Sequence, residues 1–147
     1  MMIGIFERIG KLIPGFGGYA TKEKARESDY QIRLYVKRKL EEYIFNIERS
    51  KSNMPDNELL EVDRAQNDLR LFCSKISNQK YGYRSFFKDE DKKKGAEEDV
   101  LVRIIENDEE LISIVDQIDY TDFEAVIIAD LTYKLNTTLT TRQDIIG

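Results

Sequence analysis

Asp108 and Asp130 are where chemistry would have to start, because the 147-residue chain contains no histidine and a single cysteine, Cys73. A carboxylate withdrawn into an apolar setting can be tuned by a neighbouring guanidinium or phenol into a general acid or base. Arg33, Arg64, Arg70 and Tyr83 are the groups available for that tuning. Their spacing does not by itself make them converge. The missing histidine excludes Ser-His-Asp and Cys-His nucleophiles, the Glu-x-x-His di-iron pattern and H-E-x-x-H zinc sites. One cysteine leaves a structural zinc site without ligands. Cys73 falls on the apolar stripe of a helix, which suits a small core residue better than a reactive thiol. No catalytic, cofactor-binding or metal residue is therefore expected.

Three other stretches could carry a ligand, and each departs from the pattern its chemistry needs. Residues 13–22, IPGFGGYATK, set glycines ahead of a helix as phosphate loops do. Lysine follows threonine there, and a helix rather than a strand comes before, so neither the P-loop nor the dinucleotide fingerprint is met. Residues 80–87, KYGYRSFF, mix bases with the aromatics Tyr81, Tyr83, Phe86 and Phe87 around Arg84. The order is wrong for an RNA-recognition strand, and an aromatic plug closing one end of a bundle is expected in place of nucleic-acid binding. Asp116, Asp119, Asp122 and Glu124 lie close together without the loop spacing of an EF-hand, and read as a solvated face.

The elements that must position these residues are helices. Residues 2–13 carry Met2, Ile5, Phe6, Ile9, Leu12 and Ile13 on one side and Glu7, Arg8 and Lys11 on the other, a short amphipathic helix. Pro14, Gly15, Gly17, Gly18 and Tyr19 form a hinge over 14–20, and Thr21 can cap the next helix. That helix has a stripe of Ile32, Val36, Leu40, Tyr43, Ile44 and Ile47, and ends at Asn53-Met54-Pro55. A third, over about 58–78 with Asp56 or Asn57 as cap, places Leu59, Val62, Ala65, Gln66, Leu69, Phe72, Cys73 and Ile76 on one face. The pattern fails over 79–98, where KDEDKKKG reads as an exposed tip. A fourth stripe runs through Val100, Ile104, Ile105, Leu111, Ile112, Val115 and Ile118 with Asp108 inside it. Either Asn107 or Asp108 caps a new helix, with Glu110 completing a capping box, or Asp108 is a buried acid with a cationic partner; the cap is the expectation. Thr121-x-x-Glu124 is a capping box opening a last helix through Phe123, Val126, Ile127, Leu131 and Leu135, and residues 140–147 are expected to fray.

The result is an all-α bundle of three to four main helices over 21–139, a single domain with a short amphipathic N-terminal helix and a tail. No segment has the apolar length of a spanning helix or the layout of a signal peptide, and a cytoplasmic protein is expected. Charge is uneven. Residues 1–52 hold 11 basic against 7 acidic side chains, and residues 97–147 hold 3 against 13, within a net charge of −5. Helix faces that neutralise one another inside the bundle are expected from this, or else a basic surface set apart from an acidic one. The function expected is a non-catalytic interaction module whose docking anchors are Ile5, Phe6, Ile9 and Ile13, with Arg8 and Lys11 as electrostatic bias. Its target would be a protein partner, a second copy or a membrane surface, where an interfacial helix looks the same in sequence as one packed on protein. The alternative is a small-ligand binder or enzyme built on Asp108, Asp130, arginines and the 81–87 aromatics.

Ile13-Pro14-Gly15-Phe16-x-Gly18-Tyr19, followed by Lys22-Glu23-x-x-Arg26-x-x-Asp29 and later Gly82-Tyr83-x-x-Phe86-Phe87, resembles a family of small uncharacterised bacterial helical proteins. Those begin with an I-P-G-[YF]-x-G-Y segment and a K-E-x-x-R-x-x-D helix start. The resemblance covers most of the chain and implies no reaction. The start is also similar to the amphipathic N-terminus of phage-shock and ESCRT-III-like membrane remodellers, whose very long charged hairpin this chain lacks.

Overall fold

A computed structural model describes the backbone of residues 22–77 and 94–146, and the side chains of 30–77 and 103–141. Among these residues there are four α-helices and no strand: α1 (Lys22–Ser50), α2 (Asp56–Ser77), α3 (Lys94–Asp116) and α4 (Ala125–Ile146). The expected all-α bundle is what forms. The N-terminal helix expected at 2–13 lies outside the described residues.

The 29 residues of α1 follow from its unbroken three-four spacing, and a 3₁₀ turn, Lys51–Asn53, tightens its end. Extended Met54 and then Pro55 stop the helix. The first carbonyl of α2 to accept an i+4 bond is that of Pro55, from Leu59 N at 2.9 Å. The cap position is thus one residue ahead of the expected Asp56, leaving Asp56 and Glu58 in the first turn to complement the helix dipole. On α1 and α2 the expected stripes are the buried ones: Ile32, Val36, Leu40, Tyr43 and Ile47 face Val62, Ala65, Gln66, Leu69, Phe72 and Ile76.

Two capping expectations fail. α3 runs unbroken through Asn107 and Asp108, and both are buried rather than placed at a helix start. Ile104, Leu111 and Val115 continue one stripe on either side of Asp108, so core packing carries the helix across a position that a cap would have broken. The Thr121-Glu124 box does not form either. Thr121 gives its backbone N–H and its hydroxyl to Asp119 Oδ1, and Glu124 N donates to Asp122 Oδ1. These local Asx turns win over the box, and α4 starts at Ala125 with the Glu124 carbonyl as its first acceptor.

α4 also turns a different face inward from the one its aliphatic residues suggest. Its buried positions are Ile128, Leu131, Thr132, Leu135, Thr138 and Leu139, whereas Val126 is 68 % exposed and Ile127 43 %. Threonines take core sites because their hydroxyls bond the carbonyl four residues back, Thr132 to Ile128 and Thr138 to Lys134, both at 2.9 Å. Thr137, Thr140 and Thr141 do the same on the surface, and the helix continues to Ile146 through the stretch expected to fray.

Around the bundle the order is α1, α2, α4, α3, each packed on its two neighbours. α1 and α2 are antiparallel, with Arg33 near the carbonyl of Ile76 and Gln66 on that of Ile44. α2 and α4 run parallel, since their first turns share a groove and Lys75 meets Asn136 near their far ends. α1 and α3 are parallel too: Tyr35 donates to Asp116, and further along α1 Asn46 and Tyr43 donate to the carbonyls of Tyr120 and Asp122.

Candidate functional site

The sequence's pair of acids is not a pair in space. Asp108 is fully buried in α3 and engaged in polar interactions, as are the buried Asn107 and Arg33. Asp130 stands at the surface of α4 and pairs with Lys134 one turn on, at 3.1 Å. The reading of both as buried acids is corrected for Asp130: at 100° per residue it falls opposite the core line through Ile128 and Leu135. Of the arginines named with them, Arg33 donates to the Ile76 carbonyl at 3.4 Å and Arg70 to Glu48 at 3.2 Å. The C-terminal carboxylates are occupied in shaping the 117–124 connection, where the Thr121 hydroxyl and N–H hold the Asp119 carboxyl below its usual range. No cluster of metal-ligating side chains occurs among the described residues.

A groove of about 610 Å³ lies between the outer edges of α1 and α2. α1 contributes Lys37, Glu41, Ile44, Phe45 and Glu48; α2 contributes Arg70, Cys73, Ser74 and Ser77. Glu48 is its electrostatic hub. Lys51 Nζ and Arg70 Nη2 donate to Glu48 Oε1 at 3.2 Å and Gln66 Nε2 at 3.3 Å, and the Lys51 bond above all keeps the carboxyl ionised below its ordinary pKa. Lys51 also pairs with Asp63, closing the α1–α2 turn. Burial pushes the Cys73 thiol up to about 11, so it is predominantly protonated at neutral pH. Phe45 on the α1 wall is 60 % exposed, with the Arg49 guanidinium 5.8 Å from its ring centroid.

Further bulky apolar residues stand on the outward faces of α2 and α4, opposite the core line of each helix. Val126 lines the groove between the first turns of these helices beside Glu58 and Glu61, and Tyr133, 70 % exposed, lies two turns further along the same line. On α2, Leu60 and the 60 % exposed Leu71 are eleven residues apart and share an outward line; Lys75, one turn beyond Leu71, reaches α4. Sequence reasoning passed over Leu60, Leu71, Tyr133 and Phe45. Their signal is that each is a bulky apolar residue off the stripe of its own helix, which leaves it no core to enter.

The anchors Ile5, Phe6, Arg8, Ile9, Lys11 and Ile13, the hinge residues Pro14, Gly15, Gly17, Gly18 and Tyr19, and the aromatic stretch with Tyr81, Tyr83, Arg84, Phe86 and Phe87 all lie outside the described residues. Among the described residues no helix is long and apolar enough to cross a membrane. No protein-family model, curated protein or solved structure matches the chain.

Proposed function

We propose that this protein is a non-catalytic helical interaction module of the cytoplasm, which engages its partner through apolar surfaces carried on a filled four-helix core. The observation that carries this reading is the set of bulky apolar residues on the outward faces of α2 and α4. Leu60, Leu71, Val126 and Tyr133 are large, apolar and exposed on helices whose inner faces are already packed. The amphipathic segment 2–13 adds a second docking element, with Ile5, Phe6, Ile9 and Ile13 as anchors. The basic excess of residues 1–52 favours a second reading, in which that segment lies on an anionic membrane surface with Arg8 and Lys11 toward the headgroups. The exposure of Asp130 counts against the ligand-binding alternative, which needs Asp108 and Asp130 around one pocket.

Light scattering at rising concentration and co-sedimentation with phosphatidylserine vesicles test the two readings on the full chain. Self-association lost in Leu71→Glu/Tyr133→Glu supports these outward faces as an interface. Vesicle binding lost in Ile5→Asp/Ile9→Asp supports the membrane surface. A chain that stays monomeric and binds vesicles no better than either variant would overturn both.

A further inference from the structure

The α1 wall of the 610 Å³ groove belongs to a longer surface stripe. Tyr30, Leu34, Lys37, Glu41, Phe45 and Glu48 follow one another at steps of four, three, four, four and three, the spacing of one helix face. Tyr30, Leu34 and Phe45 on it are exposed. α1 begins at Lys22, so residues 1–21 join the bundle at the head of this stripe.

Length and charge name the occupant. As a helix, residues 2–13 measure about 18 Å, against about 22 Å from Tyr30 to Phe45. Residues 14–21 can stretch to roughly 26 Å, and Gly15, Gly17 and Gly18 permit the chain reversal an antiparallel return requires. Ile13 can therefore come down beside α1 as far along as the mid-thirties, and Met2 reaches the level of Phe45. The groove is lined by two cations, Lys37 and Arg70, and two carboxylates, Glu41 and Glu48. That balance gives little attraction to a lipid surface of one sign, and suits a segment with one acid, Glu7, and two bases, Arg8 and Lys11.

We infer that residues 2–13 dock as an antiparallel helix along the Tyr30–Phe45 stripe and into the α1/α2 groove, laying Ile5, Phe6, Ile9 and Ile13 over Leu34, Ile44 and Phe45. The apolar face offered to a partner is thereby stored on the protein's own surface, and a partner must compete with the groove for it. This rests on reading residues 2–13 as a docking element.

The sole native cysteine, Cys73, lines the groove and serves as the reporter. Ile5→Cys and Ile9→Cys in the full chain, oxidised at mildly alkaline pH to raise the thiolate fraction, are expected to form an intramolecular disulfide with Cys73 at least several-fold faster than Glu7→Cys on the opposite helix side. Lys37→Cys, across the groove from Cys73, calibrates thiol reactivity. In parallel, Ile5→Asp/Ile9→Asp is expected to speed amide hydrogen exchange in residues 30–45 and 70–77 at least several-fold while leaving α4 unchanged. Exchange in those stretches equal to wild type overturns the proposal, as does a Lys37→Cys cross-link with none above Glu7→Cys at positions 5 and 9. Cross-links found only between two molecules assign the groove to a second copy and overturn the inference as well. Vesicle binding is read separately, so intramolecular cross-linking without vesicle binding keeps the stored helix and removes only the membrane reading.

Discussion

Tyr43 and Tyr120 meet edge to face, with ring centroids 5.9 Å apart, and Phe123 stacks on Tyr43 at 6.2 Å, yet the two hydroxyls have opposite fates. That of Tyr43 donates to the Asp122 carbonyl, tying α1 to the 117–124 connection, while that of Tyr120 is buried with no hydrogen-bond partner among the described residues. Tyr43→Phe is expected to cost about 1 kcal/mol in urea unfolding, and Tyr120→Phe to be neutral or stabilising, because deleting an unpaired buried hydroxyl removes a desolvation cost. Equal losses from both would refute the assignment. Burial raises Tyr35, Tyr43 and Tyr120 to about 12 from 10.0, with Asp116 adding to the effect at Tyr35 and Asp122 at Tyr43. A phenol whose folded pKa lies above its unfolded one contributes stability that is fully present below the unfolded value. As far as these three groups contribute, unfolding free energy should hold up to about pH 10 and then be lost between about 10 and 12. Urea midpoints measured across that window give the check.

α4 is the element whose phase separates two substitutions that look alike in sequence. Ile128→Ala should cost about 2–5 kcal/mol, since Ile128 is fully buried, whereas Val126→Ala should change stability by no more than about 0.5 kcal/mol. The reverse order would restore the face that aliphatic spacing alone suggests. Its exposed threonines make a further prediction: Thr137→Ala/Thr140→Ala/Thr141→Ala should raise stability by about 1 kcal/mol, because alanine regains helix propensity that the backbone-bonded hydroxyls do not match. Circular dichroism and thermal unfolding would show it, and a loss of helix would contradict it. On α1 and α2 most of the core was legible, because most buried residues there are Ile, Leu, Val, Phe and Tyr at three-four spacing, although the buried Arg33 and Tyr35 lie off the expected stripe and Ile44 and Leu59 are only partly buried. On α4 half the buried stripe is threonine or shifted by a residue, and polarity alone cannot tell a satisfied hydroxyl from an exposed one.

Across the whole molecule, the core is largely apolar with Arg33, Gln66, Asn107 and Asp108 buried in it, while the Glu48 and Lys134–Asp130 ion pairs lie at the surface. Glu48 is about half exposed, and so are both members of the Lys134–Asp130 pair, so solvent screens them and each contributes little. Unfolding free energies at low and at about 1 M salt should therefore differ by less than the loss from Ile128→Ala; a larger shift would mean that the charge asymmetry between residues 1–52 and 97–147 governs stability. The helix order α1, α2, α4, α3 brings together surfaces from segments far apart in the chain, which is why neither the α1/α2 groove nor the groove between the first turns of α2 and α4 was legible in any one stretch. By itself the amino-acid sequence determined an all-helical chain, two of its core stripes, and a cysteine placed for packing, because periodicity and side-chain volume act within one helix. Only the tertiary structure decided that Asp108 is buried, that Asp130 faces water, which side of α4 is inside and which bulky residues are left outside. Those outcomes depend on what the neighbouring helix already fills, and a pattern read along one helix carries no information about its neighbour.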